Sequence, residues 1–362
     1  MIDRRRIRRW FAALFVLHAV VAGAGFLAPY NPVEQDREHA YLPPMRVHFL
    51  ERGHFHLRPF FYAKRLREGT FDEFEEDPQK VIPLQFFSRG APYRLLGVLP
   101  WCRHLFGAEG ARLYLLGTDG FGRDQLSRIL YGGQISLLAG LLGAGCTVFM
   151  GALLGTVAGF YGGWRDALLM RLAELFLALP WLYLLFALRA FLPLAVSPLR
   201  AFFLVVVVLA TVGWARPARL VRGVVLSVKE RDFVRAARGF GAGDGYLVRR
   251  HILPETRSVL LTQAAILVPQ FVLAEMTLSF LGLGIPEPVP SWGNLLAILQ
   301  QYSVLVSYWW MYLPALAIVP FFVGYQGLAN ALHTDGVTVK IEGKRGGTHY
   351  DAGTRFSPAR MD

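Results

Sequence analysis

Between Ile135 and Phe160 the chain carries no charged side chain. A helix of about 20 residues is enough to cross the roughly 30 Å of hydrocarbon in a bilayer, so this run alone narrows the folds open to the chain. Five further apolar blocks accompany it: Trp10–Leu27, Leu168–Leu192, Ala201–Ala215, Val259–Leu283 and Tyr308–Leu328. Backbone groups facing lipid have no water to bond, so spanning blocks of this kind must be helical. The stretch Leu204–Ala210, "LVVVVLA", lacks the alternation of a membrane barrel. The expected fold is an all-α polytopic membrane protein with six transmembrane helices. Pro180, Pro269 and Pro314 fall inside the blocks and are expected to kink their helices, because neighbouring helices can satisfy the freed carbonyls. Gly151, Gly155 and Gly159 recur every fourth residue and form a smooth stripe for close helix contact.

Orientation follows from lysine and arginine in short loops. Arg4, Arg5, Arg6, Arg8 and Arg9 precede the first block and place that end in the cytoplasm. Six crossings bring both termini to the same side. The loop 216–257 then lies inside and carries ten Lys or Arg against four acids, whereas 284–307 lies outside with Glu287 as its sole charge. Arginines, an apolar run and small residues at Ala22–Ala24 also describe a cleavable signal peptide, but the run is long enough to span. The expected organisation is a basic N-terminus with helix one (1–28), an extracytoplasmic insert between helices one and two (29–133), a five-helix core (134–333) and a polar, disordered cytoplasmic tail (334–362). The net charge of +12 does not point to nucleic acid, because the basic residues cluster at the ends of apolar blocks. Cys102 and Cys146 are too few for a disulfide framework, and Cys146 reads as a small buried hydrophobe.

The loop 216–257 is the most informative region. Lys229–Phe240 suits a helix with Phe233, Ala236, Ala237 and Phe240 on one face, and Gly241 can take the left-handed stop after it. A second amphipathic piece, Tyr246–Ile252, ends near Pro254. The residues alone leave a docking knob and an ordinary basic interfacial loop equally open. Intramembrane ionisable groups are functional candidates by default. Glu275 either lines a substrate path or pairs with a basic group of a partner helix, while Glu174 reads as a local pair with Arg171. Arg189 is expected to snorkel. Asp119, Arg123 and Asp124 read as a structural network in a glycine-rich turn, His18 as a helix-packing residue, and His54 and His56 as ordinary loop histidines with no ligand set around them. There is no metal site and no nucleophile–base set, so catalytic residues are not expected.

"RAARGFG" followed by "HILP" resembles the EAA loop of ABC-importer permeases. Ala236, Ala237, Gly241, Leu253 and Pro254 match that motif; Arg235 stands where the family has Glu, and His251 where it usually has Ile. Three more stretches resemble the dipeptide and oligopeptide branch: "LLGTDGFGRDQLSRILYGGQISLL" (Leu115–Leu138), "GFYGGWRDALLMRLAELFLALP" (Gly159–Pro180) and "LAEMTLSFLGLGIPEPVPSWGNLL" (Leu273–Leu296). The long insert looks more like the permeases grouped with microcin C and oligopeptide uptake. The resemblance implies a bacterial inner-membrane subunit of a type I importer for peptides or peptide-like solutes. It implies a second homologous permease, two ATPase subunits docked on the cytoplasmic loop and a solute-binding protein outside. ATP would be used by those partners, since this chain has no phosphate-cradling G-x-x-x-x-G-K-[ST] segment. The competing expectation is an ion-coupled secondary transporter built on Glu174 and Glu275, although the inverted repeat common in that class is not visible.

Overall fold

The computed structural model describes residues 4–51, 54–67, 69–70, 73–95, 98–191 and 196–345. It begins with α1 (Arg4–Ala22) and the single turn α2 (Ala24–Leu27). Seven strands follow: β1 (His48–Glu51), β2 (His54–Leu66), β3 (Phe74–Pro83), β4 (Gln85–Phe86), β5 (Arg89–Leu95), β6 (Leu99–Arg103) and β7 (Phe106–Gly107). The remainder is helical: α3 (Gln125–Tyr161), α4 (Gly163–Ala178), α5 (Trp181–Ala190), α6 (Pro198–Gly213), α7 (Ala215–Lys229), α8 (Asp232–Gly239), α9 (Asp244–Leu247), α10 (Leu253–Phe280), α11 (Trp292–Ala297), α12 (Tyr302–Ser307) and α13 (Leu313–Arg345).

The strands correct the all-α expectation. They arise because the acidic run "EFEED" has a basic partner one hairpin away. In the antiparallel β2–β3 ladder Lys64 stands opposite Glu76 and Arg65 opposite Glu75, with a 2.9 Å Arg65–Glu75 hydrogen bond. Opposite charges on facing residues stabilise such a ladder. The apolar residues Phe61 and Ile82 turn onto Leu42, Met45, Leu113 and Tyr114 and form a small core. His56 accordingly lies in β2, with its ring against Phe60, and not in a loop.

Among the described residues three helices can cross a membrane by length and composition: α3, the continuous run Asp244–Phe280, and Trp309–Leu332. The pair α6–α7 also qualifies if its 44° bend at Trp214 falls within one span. Two of the six expected spans are less simple. α1 takes its arginines into the helix, and the block Leu168–Leu192 is divided into α4 and α5. Pro180 therefore marks a break between helices and not a kink within one. Pro314 lies in the first turn of α13, where its missing N–H costs nothing, and the interior prolines are Pro269 and Pro320. The last helix continues past Thr334 to Arg345; residues 346–362 lie outside the described residues, as does the side chain of Arg189.

The main core joins α1, α3, α6, α10, α11 and α13 around Val205, Leu209, Val272, Leu278, Leu295 and Phe321. Along α3 the glycine stripe has a specific partner, α7. A Cβ at Gly151 would stand 2.5 Å from Pro217 Cβ, one at Gly159 2.9 Å from Val225 Cβ, and one at Gly155 would meet the Ala218 carbonyl. Cys146 departs from expectation: with Leu142, Phe149 and Leu153 it occupies an exposed apolar face of α3. The segment 284–307 is more ordered than an outer loop need be. Ser291 and Asn294 form a capping box on α11, and the Trp292 indole N–H donates to the Ile129 carbonyl at 3.0 Å.

Candidate functional site

The candidate knob is built onto the C-terminal end of α3. Val221, Val225 and Val228 of α7 are buried there beside Phe160. Arg222 donates two hydrogen bonds to Asp166 of α4, at 2.5 and 2.6 Å, and Lys229 Nζ donates to the Gly159 carbonyl at 3.1 Å. The chain turns at Glu230 and Arg231, so the expected helix Lys229–Phe240 is in fact the end of α7 followed by α8. Val234 of α8, Leu247 of α9 and Ile252 are buried together beneath the turn.

Gly241 terminates α8 at φ +85°. The Ala242 N–H donates to the Ala237 carbonyl at 3.1 Å and the Gly241 N–H to the Arg238 carbonyl at 2.9 Å. These two bonds are the Schellman pattern, which needs a left-handed residue that glycine adopts without a Cβ clash. The second piece does not stop at Pro254. A π-turn over Val248–Ile252 leads directly into α10, and the Leu253 N–H donates to the Val248 carbonyl. The wider turn accommodates a proline that cannot donate.

The face that carries Phe233, Ala236 and Phe240 looks outward. Val234 is the anchor, Ala237 is half-buried, and Phe233, Ala236 and Phe240 lie on the exposed side, with Phe240 93% exposed. Tyr246 is exposed beside them. His251 is half-buried between two of these rings, 5.8 Å from Phe233 and 5.6 Å from Tyr246. Leu253 and Pro254 are half-buried at the head of α10. Arg235, in place of the motif's Glu, is exposed and pairs with Glu230 at 2.8 Å, while Arg231 pairs with Glu255 and Arg238 with Asp244. The knob thus presents an aromatic face beside three ion pairs and the exposed Arg249 and Arg250, on a packed apolar base.

At the opposite end of α3 the glycine-rich turn forms the structural network its residues suggest, with two members that sequence reasoning missed. Arg123 Nε donates to Asp119 at 2.7 Å, and its Nη1 donates to Glu287 at 2.7 Å. Arg128, with 0% of its side chain exposed, donates to Glu287 at 2.9 Å and lies 3.5 Å from Asp119. Two arginines and two carboxylates therefore balance in a buried cluster that ties the N-terminus of α3 to the loop after α10. The signal was available: Glu287 is the sole charge in its loop, and a lone charge beside apolar surface needs a partner. Asp124 caps α3 by accepting from the Ser127 N–H at 2.8 Å and its hydroxyl at 2.5 Å. Burial pushes its carboxyl up to about 6, against the opposing effect of those bonds.

The two intramembrane candidates are not brought together. Glu275 is fully buried and accepts from Ser279 at 2.7 Å, with the hydroxyls of Ser136 and Ser291 close by. Among the described residues no basic side chain pairs with it. Glu174 is exposed and pairs with Arg171 at 3.4 Å. His18 packs as expected, between the Leu14 carbonyl at 2.8 Å and the Tyr325 hydroxyl at 3.3 Å.

Residues 151–335, from the glycine stripe through the knob to α13, match the family described as the binding-protein-dependent transport system inner membrane component. The chain belongs to this family. Among its relatives, a Brucella suis protein provisionally named a peptide permease is 38% identical over 197 residues, covering 54% of this chain and 63% of its own length. The dipeptide transport system permease protein DppC of Bacillus subtilis is 36% identical over 221 residues, 60% of this chain and 67% of its own. A second Brucella suis protein, provisionally named a peptide transport system permease, is 40% identical over 236 residues, 64% of this chain and 75% of its own. The family match begins within α3, so the β-rich insert stands outside the region that defines these permease components.

Proposed function

We propose that the chain is a permease subunit of an ATP-driven, binding-protein-dependent importer and forms half of a path for peptides or peptide-like solutes. Its partners in this reading are a second homologous permease, two ABC ATPases that supply and hydrolyse ATP, and a solute-binding protein. The cell membrane holds it through six crossings: α1, α3, the broken α4–α5, α6 with α7, α10 and α13. Both ends lie on the cytoplasmic side. The insert and the knob stand at opposite ends of α3, which supports an insert outside and a knob inside.

The observation that carries this reading is the knob itself: an exposed aromatic face on a helix whose stop, base and ion pairs are all fixed. A groove on an ATPase subunit that closes over Phe233, Phe240 and Tyr246 would pull on α7 and α10 directly. The knob is tied to both helices by the buried contacts of Val234, Leu247 and Ile252. Approach of two ATPases would then shift the helix pair between discrete packings. The ion-coupled alternative has nothing comparable, because Glu174 and Glu275 have separate local partners.

The test is uptake and ATPase stimulation by the reconstituted assembly carrying Gly241→Val. A β-branched residue at positive φ costs about 1–2 kcal/mol and disturbs the stop of α8. Membrane insertion should be normal and transport lost. Unchanged uptake and stimulation would overturn the docking role.

A further inference from the structure

We infer that the β5–β6 hairpin is a membrane-interface anchor whose Leu95, Val98 and Leu99 end lies in the outer leaflet of the bilayer. Its placement supplies the argument. The root of the hairpin is fixed to the end of helix one: the His104 ring nitrogens lie 2.6 Å from the Ala28 carbonyl and 3.0 Å from that of Ala91, and the Leu105 N–H donates to the Phe26 carbonyl at 2.7 Å. Halfway along β5, Tyr93 packs against Gly25, where no Cβ could fit. The strand therefore runs from Ala28 toward Gly25, back toward the body of α1 and away from the rest of the insert.

The depth reached can be read from α3. Gln134 immediately precedes the uncharged run Ile135–Phe160 and donates to the Ala22 carbonyl at 3.1 Å, so Ala22 sits at the upper edge of the apolar zone. Tyr131 is three residues earlier, about 4.5 Å higher at the rise of a helix. Tyr131 and Tyr93 line one cavity, together with Tyr30 and His104. The shared cavity puts Tyr93 near headgroup depth, and in this reading Leu95 and Leu99, paired farther from the root, reach deeper.

The exposed side chains suit that depth. Val98 is 76% exposed, and Leu99, Trp101, Phe86 and Phe87 are each more than half exposed. Between residues 78 and 108 the chain has Lys80, Arg89, Arg94 and Arg103 and no acid. Aromatic and aliphatic residues among arginines are the composition of an interfacial element: rings enter the headgroup–acyl boundary and guanidinium groups reach phosphates. The occupant of this patch is the lipid surface.

The anchor rests on the membrane placement of α1 and α3 proposed above, and the experiment separates the two. The full chain, with Cys102→Ser and Cys146→Ser, is labelled with an environment-sensitive fluorophore at Val98→Cys, Leu66→Cys or Phe149→Cys. It is placed in nanodiscs of phosphatidylethanolamine and phosphatidylglycerol. Doxyl groups on the acyl chains report lipid contact, and iodide reports water. Phe149→Cys, on the exposed apolar face of α3, checks the span. Leu66→Cys, between the Arg65–Glu75 and Arg67–Glu73 pairs, is the aqueous reference. The expected result is doxyl quenching at Val98→Cys several-fold above that at Leu66→Cys, with protection from iodide; Leu99→Cys should repeat it. Iodide quenching at Val98→Cys without doxyl quenching overturns the anchor. So does protection that appears only when a solute-binding protein is added. Absence of doxyl quenching at Phe149→Cys would instead overturn the membrane placement itself.

Discussion

At the scale of single residues, the cluster of Asp119, Arg123, Arg128 and Glu287 decides between charge balance and charge isolation. Glu287→Ala leaves Arg128 without its best partner in a buried site, and breaking a buried pair from one side costs about 3–5 kcal/mol. Because Glu287 is itself 44% exposed, the loss should be nearer 1–3 kcal/mol. Arg128→Met should be milder: Arg123 still serves both carboxylates, and a similar apolar volume fills the site. Thermal unfolding in detergent checks the order, and Arg128→Met as the worse variant would contradict it. Asp124 gives a pH signature. Its folded pKa of about 6 exceeds the usual 3.8, so the fold prefers the neutral acid. Its contribution is greatest at low pH and is lost as pH rises through that window, on the order of 3 kcal/mol in all. Asp124→Asn keeps a capping oxygen, so it should flatten this dependence between pH 4 and pH 7 and be at least as stable as the wild type at neutral pH. A variant that melts lower at pH 7 would show that the charge, not the cap, is what the site needs.

At the scale of elements, the α3–α7 seam is where close packing is indispensable. Gly155→Leu should abolish the folded, monodisperse peak on size-exclusion chromatography, since its Cβ alone would meet the Ala218 carbonyl. Gly145→Leu, on the same helix with open space around it, should leave the peak unchanged. Much of this level was legible in the sequence. The stripe announced a close contact, the apolar blocks placed the long helices, and Asp119 with Arg123 announced a structured turn. Other features depended on partners distant in the chain. The β2–β3 ladder needs "KRLR" read against "EFEED" across a turn, and each alone looks like a charged loop. The orientation of α8 hinged on Val234, a single apolar residue outweighed in the pattern by Phe233 and Phe240. Those rings look like core by composition, but they remain outside because the base of the knob is already filled by Leu247 and Ile252.

At the scale of the whole molecule, one long helix organises both ends. α3 carries the ion cluster and the insert at its N-terminus and the knob at its C-terminus, about 55 Å apart at the rise of a helix. A chain with this layout can transmit a push at the knob to the far end of α3 through α3, α7 and α10, which pack against one another. The apolar face around Leu142, Phe149 and Leu153 stays exposed in the single chain. The most direct measurement of the central proposal is site-specific crosslinking from Phe240→Cys in native membranes, with the other cysteines replaced by serine and the products identified by mass spectrometry. The account predicts a crosslink to an ABC ATPase subunit, co-purification of a second permease, and ATP turnover by the purified assembly. A chain recovered alone or only with copies of itself, without ATPase and with Phe240→Cys uncrosslinked, would contradict it.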